Sequence, residues 1–401
     1  MKKLLLILLC LPMIGFGQQT YVPDDNFEQA LINLGYDNVL DDYVTTANIN
    51  TVSYLWISSQ NISDLTGIED FTALTSLSCD DNQLTSLDVS NNTALTDLQC
   101  AFNQLTSLDL NGATALAYLD CYGNNLTSLD VSTNTALTSL SCDDNQLTSL
   151  DVSNNTALTD LQCAFNQLTS LDLNGATALA YLDCYGNNLT SLDVSTNTAL
   201  TFLSCDDNQL TSLDVSQNTV LRTLACNYNQ LGSLDVNGAY ALEYLVCGFN
   251  QLTSLDLSGN TVLKELRCGG NQLTSLDVSN NTALTSLYCS SLGIISTNFL
   301  TSLDLRNGNN TNMGQCTFAG NASLTCINVD DSTFSPGIAW VLDPQHYLSN
   351  NCPPPSSIQE HTTTKELLKV TDLLGRETKQ TNQPLFYIYD DGTVEKRIVI
   401  E

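Results

Sequence analysis

The chain has 401 residues, 42% of them hydrophobic, with 43 acidic and 12 basic side chains and a formal net charge of −31. Between Gln18 and Cys352 there are 35 acidic residues and four basic ones, Arg222, Lys264, Arg267 and Arg306. Nucleic-acid binding needs Lys and Arg to neutralise phosphates, so a body this acidic excludes nucleic acid and favours cations, basic partners or plain solubility.

The first 17 residues read as a removable export signal. Lys2 and Lys3 supply the positive start, Leu4 to Leu11 the apolar core, and Gly15-Phe16-Gly17 a small-x-small cleavage site before Gln18. The apolar run is too short to span a bilayer. Cys10 lacks the small residues that precede a lipoprotein cysteine. The expected product is soluble, lies outside the cytoplasm and has no integral membrane span.

Residues 18–52 read as an N-terminal cap. Asp25-Asn26-Phe27-Glu28 has capping-box spacing; Phe27, Ala30, Leu31 and Leu34 share a face, and Gly35 is a stop, so a short helix is expected over 25–34. Residues 53–73 follow as an atypical first coil carrying Leu55, Ile57, Ile62, Leu65, Ile68 and Phe71.

From Cys79 to Cys289 a cysteine recurs every 21 residues without a slip. Residues 79–141 and 142–204 are identical except that Ser139 becomes Phe202, the mark of a block duplication. One unit runs Leu74-x-x-Leu77-x-Cys79-x-x-Asn82, then Leu84-x-x-Leu87-x-Val89-x-x-Asn92. Leu77/Cys79 and Leu87/Val89 alternate at period two, as short strands do, and no apolar stripe at helical spacing lies between them. The asparagines suit turns, by bonding to the backbone and by tolerating unusual dihedrals. Each coil is therefore expected to carry two short parallel strands, one on either side, with little helix. Leu74, Leu77, Cys79, Leu84, Leu87 and Val89 form the core, buried only when coils stack. About a dozen coils at ~4.8 Å make a rod on the order of 60 Å.

The ladder cysteines of an exported protein invite disulfides. Stacked equivalents point the same way, however, at a Cβ separation longer than a relaxed disulfide prefers. They read as buried thiols, with ladder disulfides and metal binding as the alternatives. The pattern LxxLxCxxNxLxxLDVSxNTA resembles the nested 21-residue class of bacterial leucine-rich repeats. Leu65-Thr66-Gly67-Ile68 resembles the opening repeats of internalin-like proteins. The resemblance covers residues 53–305 and implies a curved parallel solenoid used for binding, not catalysis.

Six extra residues follow Cys289, where the solenoid becomes less regular. Residues 306–352, with Leu324, Ile327, Val329, Trp340 and Tyr347, read as the C-terminal cap, and Cys326 and Cys352 as its one disulfide. Pro353-Pro354-Pro355-Ser356-Ser357 is a stiff linker. The remaining tail to residue 401 has apolar runs at Leu367–Arg376 and Pro384–Lys396, the second with an Asp391-Gly392 turn. This tail resembles, in shortened form, the C-terminal sorting regions of Bacteroidetes type IX secretion; a hairpin packed on the cap is the alternative.

Catalysis has little to work with. There are two histidines, His346 and His361, and no hydrolase, zinc-protease, Walker or dinucleotide motif, so no enzyme and no cofactor is expected. The outward strand positions are richer. Successive coils display Ser76/Ser78/Asp80, Asp97/Gln99/Ala101 and Tyr118/Asp120/Tyr122, then Ser139/Ser141/Asp143, Asp160/Gln162/Ala164 and Tyr181/Asp183/Tyr185. Asp97, Gln99, Tyr118, Asp120, Tyr122, Asp160, Gln162, Tyr181, Asp183 and Tyr185 are the candidate ligand contacts, repeating at ~14 Å and suited to a protein or a repetitive glycan. A neutral surface copied by the duplication is the alternative. A second row runs from Asp88 to Asp277 at 21-residue steps, held either by hydrogen bonds to flanking serines and turn backbone or by weak calcium bridging. Ordered hydroxyl rows of the ice-binding kind are a remote option, because Thr-x-Thr is missing. The chain reads as a secreted or cell-surface recognition or adhesion protein; a structural spacer or calcium-stabilised surface protein is the alternative.

Overall fold

A computed structural model describes residues 17–290, 298–333, 335, 340–353, 367–371, 377, 384–389 and 394–398. The export signal up to residue 16, most of the proline linker and the Asp391-Gly392 turn lie outside the described residues. The chain divides into two compact units, one ending at Cys352 and one beginning at Pro353. No helix among the described residues is long and apolar enough to cross a membrane.

The larger unit is a parallel β-solenoid. Each turn contributes one short strand to a 14-stranded parallel sheet that begins at Tyr54–Trp56 and ends at Trp340–Val341, with three-residue strands at 21-residue steps from Ser76–Ser78 to Ser286–Tyr288. Register follows the repeat without slippage: Leu77 sits beside Leu98, Leu119 beside Leu140, and Leu161 beside Leu182. A slip of one residue would turn every leucine outward, so the inward row locks the pairing. Leu74, Leu77, Cys79, Leu84 and Val89 are fully buried, Leu87 is 4% exposed, and their equivalents form one continuous core.

On the opposite side the strands are intermittent. Ser86–Asp88 pairs with Ser107–Asp109, Ser212–Asp214 with Ser233–Asp235, and Ser275–Asp277 with Ser302–Asp304. Between them Asp151 and Asp172 form only an isolated bridge. The same Ser-Leu-Asp triplet stands in paired and unpaired coils, so the triplet does not decide whether the ladder closes.

Asparagine joins the coils. Asn145 donates from Nδ2 to the carbonyls of Cys121 (3.0 Å) and Cys142 (3.2 Å), and its Oδ1 accepts the Leu126 N–H at 2.9 Å. Equivalent residues repeat this from Asn82 onward. The unusual dihedral expected at these asparagines falls one residue earlier. Asp81, Phe102, Asp144, Phe165, Asp207, Tyr228 and Phe249 have φ between 49° and 55°, and Gly123, Gly186 and Gly270 share that place. Flipping this residue turns the next side chain beneath the coil, where its amide meets the carbonyls.

The ladder cysteines are free and buried, and Cys79 and Cys121 each donate an S–H to the next coil's carbonyl at 3.4 Å. Burial pushes their thiols far up, so the nucleophilic thiolate is suppressed.

At the front, the helix spans Asp25–Asn33, and its cap is Asp24, not Asp25. Asp24 Oδ1 accepts the N–H of Asn26 (2.9 Å) and Phe27 (3.0 Å). Its other oxygen takes Ser63 N–H and O–H and Asp64 N–H, stitching the helix to the first coil. Burial alone would raise the Asp24 pKa, but these bonds outweigh it and hold the carboxyl below its usual range. Glu28, the expected capping-box partner, is fully buried and instead accepts the N–H groups of Asp41, Asp42 and Tyr43.

At the back, the residues expected as a cap continue the ladder. Gln315–Thr317 and Trp340–Val341 extend the long sheet, while Cys326–Asn328 and Tyr347–Ser349 extend the opposite one. Cys326 and Cys352 are disulfide-bonded across 5.7 Å between Cα atoms. The small unit is an antiparallel three-stranded sheet with Pro384–Tyr389 between Leu367–Thr371 and Val394–Ile398.

Candidate recognition face

The long sheet's outward positions form one continuous row, because strand residues alternate faces and every coil is in register. It holds eight of the ten sequence-predicted contacts, while Tyr122 and Tyr185 stand two residues past their strands, where the adjoining turn begins. Asp97 lies beside Tyr118 and Gln99 beside Asp120; Asp160 lies beside Tyr181 and Gln162 beside Asp183. The Ser139–Ser141 strand separates the two sets. Within each, glutamine donates to the aspartate two residues back (Gln99 to Asp97, 3.0 Å; Gln162 to Asp160, 2.9 Å). The N–H groups of Tyr122 and Tyr185 bond Asp120 and Asp183, each at 3.1 Å.

The two copies are not equivalent. Phe202, the one residue that departs from the duplicated block, stacks on Tyr181 at 4.4 Å and 4°. Its counterpart Ser139 leaves Tyr118 open, at 37% exposure. Burial, then nearby carboxylates with Asp120 and Asp183 foremost, raises the phenol pKa of Tyr118 and Tyr181.

Carboxylates run diagonally across the face, Asp97 to Asp120 to Asp143, and again Asp160 to Asp183 to Asp206. Asp143 accepts the Ala164 N–H and Asp206 the Asn227 N–H from the next coil, each at 2.5 Å. Burial, helped by neighbouring carboxylates, pushes both up to about 6.

Sequence reasoning followed the strands and missed an aromatic row on the adjoining turn. Phe102 meets Tyr122 edge-on at 4.8 Å, Phe165 meets Tyr185 at 4.7 Å, and Tyr228 stacks on Phe249 at 4.4 Å. Phe102, Phe165 and Tyr228 are more than half exposed and sit in left-handed backbone, which a bulky residue adopts at a cost. The aromatic residues just before the Cxx-Asn asparagines were the available signal. Tyr54 and Trp56 on the first strand are also open, at 62% and 71%.

The opposite Asp row is satisfied within its own turns. Asp88, Asp130, Asp151, Asp193 and Asp256 each accept the N–H two residues ahead, at 2.8–2.9 Å. The serine that holds the carboxylate is this following one, not the preceding Ser86 type. Hydroxyl and backbone bonds from it hold Asp130, Asp151 and Asp193 below the ordinary range. The threonines that open each coil donate to the previous coil's carbonyls, as Thr138 to Ala117 (2.9 Å) and Thr159 to Thr138 (3.0 Å). Among the described residues no group of three or more His, Cys, Asp or Glu is placed to hold a metal ion.

No family model matches the chain. Its sequence is 38% identical over 72 residues to Internalin J of Listeria monocytogenes serotype 4b (strain F2365), a stretch that is 18% of this chain and only 8% of that protein. Among solved structures, the functional domain of InlJ from Listeria monocytogenes, which includes a cysteine ladder, is similar with a TM-score of 0.55. Identity is 34%, over 79% of this chain and 78% of that one. The internalin InlF from L. monocytogenes strain 4b F2365 superposes at TM-score 0.65 and 22% identity, over 78% of this chain and 97% of that one, and shows the shared fold.

Proposed function

Because the chain belongs to the internalin-like leucine-rich-repeat proteins, we propose that it is a non-enzymatic recognition protein. Its outward strand face is the binding surface. The observation that carries this is the duplicated set Asp97, Gln99, Tyr118, Asp120, Tyr122 and Asp160, Gln162, Tyr181, Asp183, Tyr185, mounted on one rigid in-register sheet and its adjoining turn. Tyrosine combines contact area with a hydrogen bond, and the flanking carboxylates and amides are pre-positioned by their own bonds. A protein surface is the favoured partner, because the face is broad and continuous instead of enclosed; a repetitive glycan is the competing outcome. We further read residues 1–17 as an export signal and the tail from Pro353 as a shortened type IX sorting region, placing the protein outside the cell.

The test is a glycan and host-protein array probed with the purified chain and with a variant carrying Tyr118, Tyr122, Tyr181 and Tyr185 changed to Ser. The variant should lose the bound partner and still unfold cooperatively, with a melting temperature lowered by only a few degrees, since these partly exposed rings lie outside the leucine core. Binding that survives all four changes would place recognition elsewhere, and an array blank with both proteins would favour a spacer.

A further inference from the structure

Beyond Phe202 the outward face changes character. Three of the four cations between Gln18 and Cys352 gather there: Arg222, Lys264 and Arg267. Glu243 bridges Arg222 at 3.0 Å and Lys264 at 2.6 Å, while Arg267 pairs with Glu265 and lies over the Tyr288 ring, 4.6 Å from its centre. On the strand side of the coils from Arg222 to Tyr288, two glutamates stand against three cations, a local surplus of one positive charge beside a face that Asp206 and the earlier coils line with aspartates.

The same coils hold a depression of about 240 Å³. One wall is the Tyr228–Phe249 pair, stacked at 9°; the other is Arg267 with Tyr288. Gly248 and Gly269 lie on the floor, at the place where earlier coils carry Asp80, Ala101, Tyr122 and Asp143. A Cβ on Gly248 would fall 2.8 Å from the Gly269 carbonyl oxygen, so the floor stays bare. The Gly248 N–H is already held by Asn227 Oδ1 at 2.6 Å, which fixes the backbone there.

We propose that this depression is the anchoring pocket for a protein partner: it takes one aromatic or branched apolar side chain, with a carboxylate beside it held by Arg267. The inference rests on the recognition reading above and names the chemistry of its partner. The volume lies below the range of oligosaccharide-sized and drug-sized sites and suits a single side chain. Two ring walls and a glycine floor give an apolar group a half-open seat that a docked partner closes to water, the setting in which interface anchors concentrate their energy. Charge decides the neighbour. Asp97, Asp120, Asp143, Asp160, Asp183 and Asp206 repel an acidic group along the first seven cysteine coils, so it is steered to the end that bears Arg222, Lys264 and Arg267. A guanidinium stacked on a ring keeps donors for a carboxylate while its own plane stays fixed.

The pocket is read directly with the purified full chain labelled at valine methyls, because Val246 lines the depression. The probes are the capped dipeptides Ac-Phe-Glu-NH2, Ac-Phe-Gln-NH2, Ac-Phe-Lys-NH2 and Ac-Ala-Glu-NH2, with methyl glucuronide as the sugar control. Ac-Phe-Glu-NH2 should shift the Val246 methyls and bind about fivefold more tightly than the Gln and Ala dipeptides. Arg267→Glu should turn the preference toward Ac-Phe-Lys-NH2, and Tyr228→Ala should weaken every phenylalanine probe; both positions are exposed, so a melting curve serves as the folding control. Equal binding of all dipeptides, no shift at Val246, or a response to glucuronide alone overturns the proposal. The variant with four tyrosines changed to serine should keep the dipeptide response. Failure of the stripe and failure of the pocket are thereby separate results.

Discussion

Asp143 and Asp206 carry the clearest pH signature in the solenoid. Burial first, and the charges of neighbouring carboxylates such as Asp183 next, raise both to about 6, whereas an aspartate in the unfolded chain titrates near its ordinary value of 3.8. Between those values the folded state binds more protons than the unfolded state, so stability falls as pH rises. Their contribution is present below about pH 4 and is gone above about pH 6. The chain should therefore melt at a higher temperature at pH 5 than at pH 7, with each group worth on the order of 1 kcal/mol after solvent screening. Asn at both positions keeps an acceptor for Ala164 N–H and Asn227 N–H, so the double variant should be stabilised at pH 7 and lose the pH 5 to 7 slope. An unchanged slope in calorimetry would remove these carboxylates from the account. Asp24, Asp130, Asp151 and Asp193 act in the opposite sense, losing stability only as pH falls below their ordinary range.

At the scale of the strand-and-turn unit, the two asparagine rows predict unequal costs. Asn145 makes bonds to four other residues' backbone groups across two coils, and no coil from Asn82 to Asn271 replaces it. Asn145→Ala would leave the buried Leu126 N–H without an acceptor, while the Cys121 and Cys142 carbonyls keep Asn124 and Asn166 as donors, a loss of about 2 kcal/mol. Asn155, in the other row, donates to the carbonyls of Val131 and Asn134, but its own oxygen has no partner, and Ala113, Ala176 and Ala239 occupy that position in three coils. Asn155→Ala should cost only about 1 kcal/mol. Urea titration of the two variants checks the ranking, and equal losses would contradict it. The contrast also shows what was readable in the sequence. Leucine and cysteine positions repeat at a fixed period, so inward and outward faces followed from counting. The inverted residue before Asn145 did not, because Asp144, Phe165 and Gly186 share a backbone and no chemistry. Nor did the helix cap: Asp24 and Asp25 are neighbours, and what makes Asp24 the cap is its set of bonds to Asn26, Phe27, Ser63 and Asp64 in the folded chain. The pocket beside Arg267 was hidden for another reason. It depends on the small size of Gly248 and Gly269 and on rings tens of residues apart, none of which forms a motif.

At the scale of the whole solenoid, the bonding within each Asp turn predicts that calcium is not structural. Asp88, Asp130, Asp151, Asp193 and Asp256 already take a backbone N–H. Chelator should leave the melting temperature unchanged, and a fall on chelation would restore the calcium bridge. The duplication allows a sharper test of the face. Deleting residues 142–204 joins Ser141 to Cys205, the same Ser-Cys step that Ser204 and Cys205 already make, so register and core continue across the junction. Because each coil contacts only its neighbours, the shortened chain should fold cooperatively. Its urea m-value should fall by roughly a fifth, since m follows the surface exposed on unfolding. The deletion removes one tyrosine stripe and leaves Tyr118, Tyr122 and the Arg267 pocket intact. A partner that engages both stripes at once should then bind at least about tenfold more weakly, the loss expected when a second linked contact disappears. A partner seated on one stripe and the pocket should keep its affinity. Surface-bound kinetics of the two chains with the same partner separate these cases. The first result would mean that the duplication enlarged the binding surface, and the second that it only lengthened the rod.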